Sequence, residues 1–297
     1  MNTLKLKNTI FKTFIELFIW NKKVRSRMKA NWTKLHLKKY VQWAIENTPR
    51  QTPISASGEK PIIWLYWHQG IENAPLLIQK CVESVKTHHP DYEVRVLSFD
   101  TINDYVKIPQ RYYDLLEQKK MLIAHFSDIL RLYLLTNYGG VWVDATLLLT
   151  DKIPQEIFDS EFFVLQKNPE TDAFGDKMSC YFIRADKNSY FTHLTLNTLE
   201  KYWEENDYLI HYFIFEHVVS MLSEANDELK KQWDEMFYMN TDKLGLLRKK
   251  LYLDFDEKEF AEIKTQTFLH KLSYKILQDS SSGNFYYDKI VGTSNDE

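Results

Sequence analysis

Between Leu122 and Thr146 a mostly apolar run is interrupted by four side chains able to do chemistry: His125, Asp128, Arg131 and Asp144. Leu122, Ile123, Phe126, Ile129, Leu130, Tyr133 and Leu134 recur at helical spacing and predict a buried helix face. Steps of three keep His125, Asp128 and Arg131 roughly on one side of that helix. Gly139 and Gly140 sit where a helix end favours a residue of positive φ. Val141-Trp142-Val143 then suits a strand. Asp144 falls at the C-terminal end of that strand, where open α/β sheets bind ligands. Each residue also has a plain structural reading. Asp128 and Arg131 make an ordinary helical ion pair, and Asp144 a turn-former.

The elements that must position these groups alternate. Residues 61–67 (PIIWLYW) predict a buried first strand, ending in the loop His68-Gln69-Gly70. A helix is expected over 74–88, a second strand over 92–97 and a helix over 110–119. Residues 147–150, 162–165 and 180–183 are further strand candidates, and 188–250 is mostly helical in pattern. Strands alternating with helices indicate an α/β fold with a mostly parallel sheet.

The chain has 297 residues, 44% of them hydrophobic and 15% aromatic, which is enough to bury a substantial core. Most of the rings are expected in that core, and the surplus suits sugar or base sites. Only Cys81 and Cys180 carry thiols, which fits an unpaired, reduced state and gives no metal signature. The net charge of −3 hides an asymmetry: residues 1–40 hold 11 Lys and Arg against Glu16, or +10, so the other 257 residues carry −13. Leu6, Ile10, Phe14, Leu17 and Phe18 recur at helical spacing within this basic arm. Lys5, Lys7, Lys12 and Glu16 break the run, so it is too charged to span a bilayer. An anionic membrane surface or the protein's own body is the natural partner for such a helix. Nucleic acid is not, because the body is acidic and no nucleic-acid motif accompanies the arm. The polar stretch 50–60 reads as a linker. The expected domains are a helical arm over 1–50, a main α/β domain over 60–280 and a polar tail over 281–297.

Residues 124–131 and 139–146 together resemble the donor-site signature of glycosyltransferases with a D-x-D sugar-binding motif. The nearest likeness is to the capsular polysaccharide synthesis protein family, which residues 63–70 and His270-Lys271-Leu272 also resemble. The resemblance implies a GT-A type fold, a Rossmann-like, mostly parallel mixed sheet flanked by helices. It implies transfer of a sugar from a nucleotide sugar, most often a UDP-sugar, with retention at the anomeric carbon. The acceptor it implies is a surface polysaccharide or a lipid-linked glycan. Carried over by position, Asp128 and Arg131 would hold sugar hydroxyls, since a carboxylate accepts and a guanidinium donates in a fork. Trp67 would stack near the base, and Gln69, Thr146 and Lys271 complete the donor contacts. Asp144 and His270 would hold Mn²⁺ or Mg²⁺. The usual D-x-D reads Asp144-Ala145-Thr146 here, and a hydroxyl is a weaker ligand than a carboxylate. Asp207 is the acceptor-side catalytic candidate beside Asp144, with His211 second to it. The alternative reading is a non-catalytic nucleotide-sugar or glycan-binding protein of the same fold. A lipid-linked acceptor and a basic arm together place the expected enzyme on the inner face of the plasma membrane.

Overall fold

The structure, a computed structural model, describes residues 3–55, 60–275 and 284–292. Two helices open the chain, α1 (Thr3–Phe18) and α2 (Lys22–Asn47). The Asn21 side chain accepts from the Val24 N–H at 3.1 Å, capping α2. β1 (Ile62–Tyr66), α3 (Leu76–His88), β2 (Glu93–Leu97), α4 (Gln110–Glu117), α5 (Ile123–Tyr138) and β3 (Gly140–Val143) follow. Next come β4 (Leu147–Leu149), a short α6 (Gln155–Asp159), β5 (Phe162–Gln166) and β6 (Met178–Ala185). Helices α7 (Tyr190–Glu205), α8 (Ile214–Leu222), α9 (Asp227–Asp234), α10 (Leu246–Lys250) and α11 (Glu257–Gln266) lead to β7 (Leu269–Lys271) and α12 (Tyr286–Val291).

The central sheet has the order β2-β1-β3-β6-β5. β1 pairs in parallel with β2 and β3, as the strand–helix alternation predicts. β6 runs antiparallel to both β3 and β5. The cause is connection length: β5 and β6 are joined by a loop with no crossover helix, and a parallel pair needs one. A second, small sheet pairs β4 with β7 antiparallel. α5 lies across β1, β3 and β6, and α7 packs on α5.

The two glycines allow the close step from α5 into β3. Gly139 has φ +70° and ψ −161°, and Gly140 has φ +99°. Gly139 therefore lies outside the left-handed helical well, in a region open mainly to glycine. A Cβ on Gly140 would stand 2.3 Å from the Ile62 carbonyl oxygen. The tight step sets β3, and Asp144 after it, directly beside β1.

Two expected boundaries are corrected. α2 is no detached arm: Leu37, Tyr40, Val41 and Ala44 are buried in the main core, and α2 packs on α7 and α8. Its apolar residues are spaced to meet those helices, a pattern hidden by the surrounding lysines. Likewise the tail holds α12, whose Tyr286 is fully buried against α3 and its neighbours. Both cysteines are free.

Candidate functional site

A cleft of about 910 Å³ opens at the C-terminal ends of β1 and β3. It is lined from β1 and its loop by Trp67 and Gln69, from α5 by Asp128 and Arg131, and after β3 by Asp144 and Thr146. The small sheet contributes Lys271, and α8 contributes Glu216.

Arg131 braces the two acids. Its Nη1 lies 3.1 Å from Asp128 Oδ1, and its Nη2 3.2 Å from Asp144 Oδ1. Nη1 also donates to the Cys180 carbonyl at 2.5 Å. The guanidinium is buried and stacks beside Trp142, 4.9 Å from the ring centre. With three protein acceptors already taken, Arg131 orients Asp128 and Asp144 and has little of its fork left for a sugar. Asp128 retains more capacity, since each ionised oxygen has a second lone pair.

Tryptophan N–H groups fix the remaining geometry. Trp203 Nε1 donates to His125 Nε2 at 2.9 Å. The proton of a neutral His125 ring must therefore sit on Nδ1, which donates to Asp128 Oδ2 at 3.2 Å. Trp142 Nε1 donates to Asp144 Oδ1 at 2.9 Å. On the other side Lys271 Nζ donates to Asp144 Oδ2 at 2.9 Å and to the Thr146 hydroxyl at 2.6 Å. Burial works against ionisation of Asp144, but Lys271, Arg131 and the Trp142 N–H prevail and hold its carboxyl below the usual range.

Two expected site residues lie elsewhere. His270 is fully buried and does not line the cleft. Side chains alternate along a strand, so β7 presents Lys271 to the cleft and turns His270 away. His270 Nε2 instead pairs with the Thr150 hydroxyl at 3.0 Å, and burial lowers its pKa to about 4. Asp207 is half-exposed and bonds Lys120 at 3.2 Å. Its loop is drawn away from the cleft toward α1, where Asn8 and Lys12 donate to the Ile210 carbonyl at 3.3 and 2.7 Å. His211 is buried and faces His217, 3.0 Å away.

The donor set expected for Mn²⁺ or Mg²⁺ is thus not assembled. Such ions take several hard oxygen ligands, yet both oxygens of Asp144 already face cationic groups and Thr146 accepts from Lys271. No three His, Cys, Asp or Glu side chains gather as a metal cluster among the described residues.

The capsular polysaccharide synthesis protein family matches residues 15–290, which takes in every element from α2 to β7. The chain belongs to this family. Among curated relatives of this family member, O-glycosyltransferase braB of Annulohypoxylon truncatum is 26% identical over 161 residues, or 48% of this chain and 37% of its own. Glycosyltransferase afumC of Aspergillus fumigatus is 27% identical over 166 residues, or 48% of this chain and 38% of its own. The chain therefore spans well under half the length of these relatives. Among solved structures, the PaToxG glycosyltransferase is 17% identical with a TM-score of 0.41, over 72% of this chain and 86% of its own.

Glu216, like Arg248 and Lys275, lines the cleft and is not among the residues the sequence points to. It lies in the apolar helical run Phe215-Glu216-His217-Val218-Val219, where a lone carboxylate is itself a signal. Burial drives its pKa up to about 7, with the Asp128 carboxylate adding to the rise and Lys167 opposing it. The Cys180 thiol donates to Glu216 Oε1 at 3.2 Å. Glu216 thus changes charge near neutrality at the wall of the cleft.

Proposed function

We propose that the protein is a glycosyltransferase that moves a sugar from a nucleotide-diphosphate sugar, most simply a UDP-sugar, to a surface or lipid-linked glycan. One observation carries the reading: Asp128, Arg131 and Asp144 converge in a single large cleft at the ends of parallel strands. Asp128 accepts from hydroxyls of the donor sugar, held in place by His125 and Arg131. Trp67 offers a partly exposed ring for the base and is itself braced edge-on by Tyr274, with 5.2 Å between centroids. Transfer with retention needs no dedicated protein base, because the departing phosphate can take the acceptor's proton. The C1–O bond to the diphosphate breaks, and its electron pair leaves on the phosphate oxygen. The acceptor oxygen bonds to C1 on the same face and passes its proton to the departing phosphate.

The reading extends to an anionic membrane surface. α1 turns Asn8 and Ile15 inward but leaves Leu6, Ile10, Phe14, Leu17 and Phe18 exposed on another face. Trp20, 95% exposed, continues this face, with exposed Lys5, Lys7, Lys22 and Lys23 nearby. Such a helix rests in the headgroup layer, with each lysine near the surface worth about 1 kcal/mol. No helix is long and apolar enough to cross a membrane among the described residues.

A thermal-shift panel of nucleotide sugars, run in chelator and in Mn²⁺, tests the donor assignment. A ligand that binds only the native state raises the melting temperature. One base–sugar combination is expected to do so selectively. No shift with any nucleotide sugar would remove the reading.

A further inference from the structure

We infer that Lys271, with Arg248 and Lys275 beside it, carries the charge of the departing diphosphate in place of a divalent metal ion. The inference rests on the donor reading above and concerns how that same cleft holds its anion.

The metal position is already filled by protein charge. Lys271 Nζ contacts both Asp144 Oδ2 and the Thr146 hydroxyl, the two positions a D-x-D motif offers to a metal. The other oxygen of Asp144 is held by Arg131 and Trp142. A divalent ion would have to expel the ammonium and then sit beside it, with only a hydroxyl as second protein ligand. His270, the remaining expected ligand, is turned to the far side of β7 and occupied by Thr150.

The cleft also has cations to spare. It is lined by Arg131, Arg248, Lys271 and Lys275 against Asp128, Asp144 and Glu216. Glu216, the third acid, sits in an apolar, buried position at the wall. Arg248 and Lys275 pair with no carboxylate among the described residues. Such a surplus stands out in a body that carries −13 outside its first 40 residues. The three side chains line one cleft because α10, which bears Arg248, packs on β7, which bears Lys271 and runs on toward Lys275. Lys271 is itself seated over the Tyr181 ring at 4.6 Å, so its ammonium is pre-positioned. A lysine acts as a point charge toward phosphate and an arginine adds a fork. Together they stabilise the oxygen that receives the electron pair.

Calorimetric titration with UDP, GDP and inorganic pyrophosphate tests this, each in chelator and in Mn²⁺. The proteins are wild type, Lys271→Ala, Lys271→Met and Arg248→Ala, with melting temperatures recorded to confirm folding. The expected result is that wild type binds a nucleoside diphosphate equally well in chelator and Mn²⁺. Both Lys271 variants should lose roughly tenfold or more, the worth of one charged hydrogen bond, with no rescue by Mn²⁺. Nucleotide binding that needs Mn²⁺, or that is unchanged in folded Lys271 variants, overturns the inference and leaves the donor reading intact. Lys271-dependent binding of pyrophosphate without any nucleotide binding supports the cationic cradle and overturns the donor reading. Failure of all three probes under both conditions overturns both.

Discussion

Glu216→Gln isolates the most unusual charge in the cleft. The carboxyl titrates at about 7 in the fold, against about 4.5 for an exposed glutamate. Between those values the native protein keeps a proton that the unfolded chain has released. The native state binds more protons there, so stability falls as pH rises from about 4.5 to 7 and then levels off. At about 1.4 kcal/mol per pH unit, the loss is about 3 kcal/mol. Glutamine has nearly the same shape, stays neutral and can still accept from the Cys180 thiol. The variant and wild type should therefore be equally stable near pH 4, below both values, within about 0.5 kcal/mol. Above about pH 7.5 the variant should be the more stable by about 3 kcal/mol. Unfolding entropy near 2 cal/mol/K per residue over 297 residues converts this to about 5 °C in melting temperature. Calorimetric or denaturant unfolding at a series of pH values reads it directly. A constant difference between the two proteins across that range would refute the account of Glu216.

Three further substitutions separate the roles of the elements. Gly140→Ala places a Cβ 2.3 Å from the Ile62 oxygen at φ +99°, and should cost at least about 3 kcal/mol in denaturant unfolding, whereas Gly245→Ala, at negative φ with nothing nearer than 3.7 Å, should be almost neutral. Equal stability of these two variants would contradict the packing of α5 onto β3. Trp203→Phe removes the donor that fixes the His125 tautomer, and should weaken donor binding about fivefold with the fold kept, as expected for one lost hydrogen bond; unchanged affinity would show that His125 does not orient Asp128. Phe14→Glu with Leu17→Glu alters only exposed positions on α1, so the melting temperature should hold while sedimentation with phosphatidylglycerol vesicles falls at least tenfold. Undiminished vesicle binding would dismiss the membrane reading. Removing all of 1–45 is not the test, because α2 supplies Leu37, Tyr40 and Val41 to the core.

Much of the site was legible because local signals agreed. The polar residues of α5 broke a clear helical period, two glycines marked its end, and Asp144 closed the strand that followed. Those groups meet in the structure as expected, although Arg131 turns out to be a brace more than a free sugar contact. What could not be read was set by pairing between distant segments. Whether His270 or Lys271 faces the cleft depends on the register of β7 against β4, Leu148 opposite His270 and Leu147 opposite Lys271, and a slip of one residue exchanges them. The position of Asp207 depends on a loop tied to α1, far away in the chain. The basic stretch concealed α2 as a core helix, because its buried residues are few and separated by lysines. Antiparallel β6 escaped the alternation rule because no helix separates it from β5.

The central claim is that this cleft cleaves a nucleotide sugar with Asp128 holding the sugar. The most direct measurement is release of nucleoside diphosphate from a panel of nucleotide sugars by wild type and by Asp128→Asn, which keeps the size of the side chain but only one of its two acceptor oxygens. Wild type should turn over one donor, and the variant should be slower by about a hundredfold, the loss expected when a charged contact to the reacting sugar is removed. Equal turnover by the two proteins, or none by wild type with any donor, would contradict the account.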